Sequence, residues 1–182
     1  MKGGNKMKKI YATILSILVL GICFGGKSEV NASERNTLES GYYTIHPVNN
    51  PSLQVGTTDF TLINPDSEYQ KFEFSYLSTK NAYYIGPQFA GMQTAAWNGV
   101  EGVGNLIWDH PDFVWDVPTP SKLWIIEKTD NGQFIIHNKK DESMVWDVNN
   151  YYANLGTKIK LEKLHDTSDV LRDAQTFILT KH

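Results

Sequence analysis

Gln70-Lys71-Phe72, Lys122-Leu123-Trp124 and Gln175-Thr176-Phe177 share one pattern, an aromatic residue two places after a polar one. They are spaced by about 52 and 53 residues, the regularity expected of an internal repeat. On a strand, that two-residue spacing puts both side chains on one face, so each copy is expected to close with an inward-pointing strand. One such unit cannot bury its apolar face alone. Three units about a common axis can pool their aromatic and aliphatic side chains into a single core.

Outward from the triplets, the chain reads as short alternating or apolar runs broken by Gly, Pro, Asn and Asp, an all-β pattern. Strands are expected at Tyr42–His46, Phe60–Ile63, Lys71–Tyr76, Ala82–Ile85, Leu123–Glu127, Phe134–Asn138, Met144–Val148, Ile159–Leu164 and Thr176–Thr180. Asp130-Asn131-Gly132 supplies a hairpin turn between two of them. The prolines between Pro111 and Pro120 predict a long irregular loop. Mild helical character is confined to Ser33–Glu39 and Ser168–Ala174, the second expected as a single turn before the last strand.

Within each repeat the same order returns: an aromatic strand, an aliphatic pair, a Gly or Asn turn, a second apolar pair and the triplet. The first copy runs through Tyr43-Thr44-Ile45, Leu53-Gln54-Val55, Gly56 and Phe60-Thr61-Leu62. The second runs through Tyr83-Tyr84-Ile85, Ala96-Trp97, Gly104 and Leu106-Ile107-Trp108. The third runs through Phe134-Ile135-Ile136, Val145-Trp146-Asp147-Val148, Gly156 and Ile159-Lys160-Leu161. On these residues the chain resembles the ricin B-type β-trefoils, whose repeats end in Gln-x-Trp, including trefoils associated with bacterial toxins. Lys122 replaces the Gln once, and Phe72 and Phe177 replace the Trp twice. The resemblance implies an all-β trefoil of three pseudo-symmetric four-stranded repeats over residues 33–182. It also implies that Gln70 and Gln175 are scaffold residues bonded to backbone.

Sugar binding is what the resemblance implies for function: an early Asp in a repeat, an aromatic platform about 15 residues later, and polar residues before the triplet. A carboxylate accepts from two sugar hydroxyls while the apolar ring face lies on the aromatic. Carried over, the third repeat offers Asp147, with Glu162 at the platform position and Ala174 where a polar residue is expected. Tyr151 or Tyr152, in the following loop, can serve as the platform instead. The second repeat offers Asn98 for the Asp and Trp108 near the platform position, with Trp108 equally able to be buried between lobes. The first has Gln54 and Ile63, and no sugar site is expected there. Asp147, Asn98, Trp108 and Tyr151 are therefore the carbohydrate-binding candidates.

Lys2, Lys6, Lys8 and Lys9 precede an apolar run from Ile10 to Phe24 that ends in small and polar residues, the form of a secretory signal peptide over residues 1–32. The run is shorter than the roughly 20 apolar residues of a membrane span, so no stable span is expected after cleavage. Leu20-Gly21-Ile22-Cys23 gives a weaker lipoprotein reading, because Ile22 is bulky for the place before a lipidated cysteine. Cleavage after Ala32 removes Cys23, the one cysteine, and with it any disulfide or thiolate metal site. It also leaves 12 basic and 19 acidic residues, a formal charge of −7 that argues against nucleic acid and anionic membranes as partners.

The five histidines have no ligand spacing, and no nucleophile motif accompanies them, so neither an enzyme nor a cofactor is expected. Two functions stay open at this point. One is a secreted lectin that binds glycans or glycoproteins. The other is a non-catalytic adaptor or toxin-assembly subunit, with degenerate sugar sites and a companion protein chain.

Overall fold

The computed structural model describes residues 37–65, 70–89, 92–112 and 117–182. The expected signal peptide lies outside them. The chain forms β1 (Gly41–Pro47), β2 (Gln54–Val55), β3 (Leu62–Ile63), β4 (Phe72–Leu77), β5 (Ala82–Pro87) and β6 (Thr94–Trp97). It continues with β7 (Leu106–Asp109), β8 (Trp124–Lys128), β9 (Phe134–Asn138), β10 (Met144–Val148), β11 (Ile159–Lys163) and β12 (Phe177–Lys181).

Strand pairing closes on itself. β9, β12, β1, β4, β5 and β8 follow one another as hydrogen-bonded neighbours, and β8 pairs back to β9, which makes a six-stranded antiparallel barrel. Closure removes the sheet edges that an open six-stranded sheet would expose. The remaining strands form three hairpins, β2–β3, β6–β7 and β10–β11, one for each repeat. Six barrel strands and three hairpins, four strands for each repeat, constitute a β-trefoil.

The triplets explain why the barrel closes. Phe72, Trp124 and Phe177 are the first residues of β4, β8 and β12, and all three are fully buried in one core. Trp146 of β10 meets each of them edge-on, with ring centroids 6.1 Å from Phe72, 5.7 Å from Trp124 and 6.4 Å from Phe177. Offset and edge-on geometry is what the ring quadrupoles favour, on top of the large apolar area such rings bury.

The polar member of each triplet ties its repeat together. The Gln175 amide donates to Lys163 O at 2.8 Å, and its oxygen accepts from His165 N at 2.8 Å. The Gln70 oxygen accepts from Thr57 N at 2.7 Å. Lys122 does similar work with an ammonium, donating to His110 O at 2.8 Å and pairing with Asp109 and Asp112 at 3.2 Å each.

Phe134–Asn138 and Met144–Val148 coincide with their sequence expectations, and most other barrel strands shift by a residue or two. The Asp130–Gly132 turn forms, with Thr129 N bonded to Gln133 O at 2.9 Å and Gly132 in the left-handed region at φ 77°. The expected turn before the last strand is a 3-10 turn over Val170–Gln175, capped by Asp169, whose side chain accepts from Leu171 N. Of the helical stretch expected at residues 33–39, the described residues 37–39 form no helix. The expected strand at Phe60 begins later, because Phe60 takes a left-handed φ of 55° to drop its ring into the core. The Pro-rich loop ends in a 3-10 turn at Pro120–Lys122, and residues 113–116 lie outside the described set.

Candidate functional site

Hairpin register fixes which residues of the three repeats are equivalent. Val148 faces Ile159, Val55 faces Leu62 and Trp97 faces Leu106. Beyond each pair one backbone bond ends the hairpin in the same way: Asn149 N to Lys158 O, Gly56 N to Thr61 O and Asn98 N to Asn105 O. Counting back from these bonds, Asp147 corresponds to Gln54 and to Ala96. Likewise Leu161 corresponds to Asn64 and Trp108, and Trp146 to Leu53 and Ala95.

Two candidates of the second repeat thus sit elsewhere than the sequence order suggests. Asn98 lies in the hairpin turn, two positions past the residue equivalent to Asp147. Its amide donates to Gly104 O at 3.2 Å, and its oxygen accepts from Val100 N at 3.1 Å. Trp108 aligns with the inward-facing Leu161. Its ring stacks on Phe60 with centroids 4.3 Å apart, and Nε1 donates to Thr58 O at 3.2 Å. Trp108 is half-buried and packs against the core, so the ring face against Phe60 is closed to a ligand. Neither residue lines the pocket that Asp147 lines.

Asp147 and Tyr151 do come together. A pocket of about 390 Å³ is lined by Asp147, Asn150, Tyr151, Lys160, Glu162, His165, Leu171 and Ala174. β10 brings Asp147, which is only 5% exposed, to the pocket wall. The tight turn after β10 brings Tyr151. Asn150 and Tyr151 both take left-handed conformations, at φ 59° and 67°. For Tyr151 that conformation carries a strain of about 1–3 kcal/mol, and the surroundings hold it in place. Asn49, from the loop after β1, donates to Tyr151 O at 2.6 Å, and Tyr151 N donates to Val148 O at 2.9 Å.

β11 and the segment after it complete the pocket. Lys160, directly opposite Asp147 in the hairpin, lies 3.9 Å from its Oδ1 but bonds Glu162 Oε2 at 2.5 Å. That bond, the largest influence on Glu162, holds its carboxyl below the ordinary range. His165 Nδ1 lies 3.3 Å from Asp169, and Arg172 Nη1 donates to His165 O at 2.5 Å. Burial pushes Asp147 up to about 6, only partly offset by Lys160 and Gln175. The site thus holds a carboxylate with few donors of its own, facing an aromatic side chain across a small open cavity. Sequence reasoning did not bring in Lys160, His165 and Leu171, because a strand pairing and a 3-10 turn, rather than chain proximity, place them there.

Barrel, hairpins and triplets together define a β-trefoil. Solved structures share that architecture at low identity. A mosquitocidal holotoxin matches 81% of this chain at 20% identity and a TM-score of 0.67, and this chain spans 18% of the holotoxin chain. The designed threefold-symmetric protein ThreeFoil matches 78% of this chain and 99% of its own, at 12% identity and a TM-score of 0.62. The Macrolepiota procera ricin B-like lectin, solved in complex with lactose, matches 80% of this chain and 99% of its own, at 16% identity and a TM-score of 0.59. No protein-family model and no curated protein matches the sequence.

Proposed function

We propose that this protein is a non-catalytic, lectin-like trefoil that binds a sugar in the pocket of its third repeat. The observation that carries the reading is the placement of Asp147 and Tyr151 on one small open cavity. A carboxylate so poor in donors of its own retains lone pairs for two sugar hydroxyls. Tyr151 offers a ring for the apolar face of the sugar, and its left-handed backbone is braced before any ligand arrives, which lowers the cost of binding. The first repeat has Gln54 and the second Ala96 at the equivalent place, so the third repeat is the one that keeps the acid. Export by the residue 1–32 leader belongs to the same proposal and agrees with extracellular glycans or glycoproteins as partners.

A second reading, a toxin-assembly subunit or adaptor with a companion chain, draws on the exposed Val100 and Val103 at the tip of β6–β7 and on the likeness to one segment of a much longer holotoxin. Apolar side chains on a projecting hairpin are the usual material of protein contacts.

A glycan array probed with the protein tests the first reading. Binding that disappears in Asp147→Ala and weakens in Tyr151→Ala, with no loss of thermal stability, supports it. A blank array together with a discrete protein partner in pull-down favours the second.

A further inference from the structure

We infer that the third-repeat pocket is a pH-gated sugar site, in which Asp147 grips hydroxyls as a carboxylate and releases them when mild acidification protonates it. The inference rests on the sugar-binding reading of this pocket and adds its regulation.

The geometry supplies the gate. Asp147 is almost wholly buried, yet it lines an open cavity, so a proton can reach it while solvent stabilises its charge poorly. The cation that would normally hold such a carboxylate ionised is shared with a second acid. Lys160 Nζ stands 3.9 Å from Asp147 Oδ1, beyond hydrogen-bond distance, and bonds Glu162 instead. Glu162, from the same strand, adds a second negative charge to the pocket. His165 faces the cavity, with its ring against Asp169 and its carbonyl under Arg172, so the 3-10 turn partly occupies that side chain as well. On the other side, β9 brings His137, whose ring is held by Glu142 O at 2.7 Å and Glu127 at 3.0 Å.

Proton and ligand therefore compete for the same oxygens. A carboxylate accepts from two hydroxyls; a carboxylic acid keeps one good acceptor and presents a donor. Burial already places the Asp147 carboxyl near 6, within reach of a modest drop in pH. Sugar hydroxyls favour the ionised form, so affinity should be full at pH 7.5. It should fall about tenfold for each pH unit below the midpoint of the unliganded protein.

Three measurements on the whole protein test this. A glycan array read at pH 7.5 and at pH 5.0 should show the same glycans retained at the first and lost or much weakened at the second. For the best-bound glycan, titration should give a fall on the order of tenfold between those pH values. His165→Gln should keep that fall, which separates Asp147 from the nearby imidazole. Carbon-13 NMR of the aspartate carboxyls in the unliganded protein, assigned with Asp147→Asn, should show Asp147 titrating well above the other aspartates. Glycans held equally at both pH values overturn the gate alone and leave the sugar site standing. A pH response that vanishes in His165→Gln, or an Asp147 titration in the ordinary aspartate range, also overturns the gate. An array blank at both pH values overturns the sugar reading and the gate with it.

Discussion

Trp146 meets Trp124 edge-on, with ring centroids 5.7 Å apart and planes at 85°. The contact joins a hairpin of the third repeat to the first barrel residue of the second repeat's closing strand. Phe60, Phe72 and Phe177 surround the same indole, so one side chain couples all three repeats.

Truncation there should be costly. Trp146→Ala is expected to lose about 3–5 kcal/mol of stability, measured as a lower midpoint in urea unfolding. Trp146→Phe should cost clearly less, because it keeps a ring and removes an Nε1 donor that has no hydrogen-bond partner among the described residues.

Asp147 should trade stability for function. Its carboxyl is raised to about 6 by burial, above the ordinary aspartate value of about 3.9 in an unfolded chain. Between those values the folded protein binds more protons than the unfolded one, so this group's contribution to stability declines as pH rises from 4 to 6. Above 6 the cost is complete. Asp147→Asn is therefore expected to raise the melting temperature at pH 7.5, by up to about 2–3 kcal/mol of stability, and to change it little at pH 4. Glycan binding should be lost in the same variant, a pattern common to residues kept for function. Differential scanning calorimetry at the two pH values reads the first effect.

Asp112 should show the opposite sign. Burial alone would raise its carboxyl, but the Thr119 backbone N–H, the Lys122 ammonium and the Thr119 hydroxyl together outweigh burial and lower it. Its stabilisation is present above the ordinary aspartate range and is lost as pH falls through the lower folded value. Asp112→Asn is expected to cost about 2 kcal/mol at pH 7 and to match the wild type near pH 2, as followed by acid unfolding with far-UV circular dichroism.

Asn105 is wholly buried and bonds both backbone groups of Leu161, donating to O at 2.9 Å and accepting from N at 2.7 Å. Asn105→Leu strands both groups, at about 1–3 kcal/mol each, and should separate repeats two and three enough to raise hydrogen exchange in β11.

Trp108→Ala is expected to unfold the protein more readily, by about 3 kcal/mol, while the folded fraction still binds glycan, because the ring packs on Phe60 outside the third-repeat pocket.

Much of this architecture was legible in the sequence because the triplets carry their meaning locally: a polar residue, a spacer and an aromatic on one strand face. Met144–Val148 was equally plain, being a largely apolar run, broken only by Asp147, between turns. Three hairpin strands, β2, β6 and β7, are only two to four residues long and were visible only as aliphatic pairs within the repeat order. The second-repeat residues went astray for a related reason. Asn98 looks like the equivalent of Asp147 when residues are counted along the chain, but backbone pairing across the hairpin assigns that place to Ala96. The Lys122 triplet was legible despite its missing Gln, and its ammonium, reaching two aspartates and a carbonyl, does a glutamine's work. Asp147 and Tyr151 were legible together because only a short turn separates them; Lys160 and His165 join them through pairing and folding-back.

Trp146, Leu53 and Ala95 occupy one equivalent position in the three hairpins, and that inequality bars the chain from ever being rebuilt out of a single lobe. Three copies of the last repeat would crowd three indoles onto the axis, and three copies of the middle one would leave a hollow there. The lobes form a matched set, in which one bulky member sits with two smaller counterparts. Only the mixed trio fills the centre.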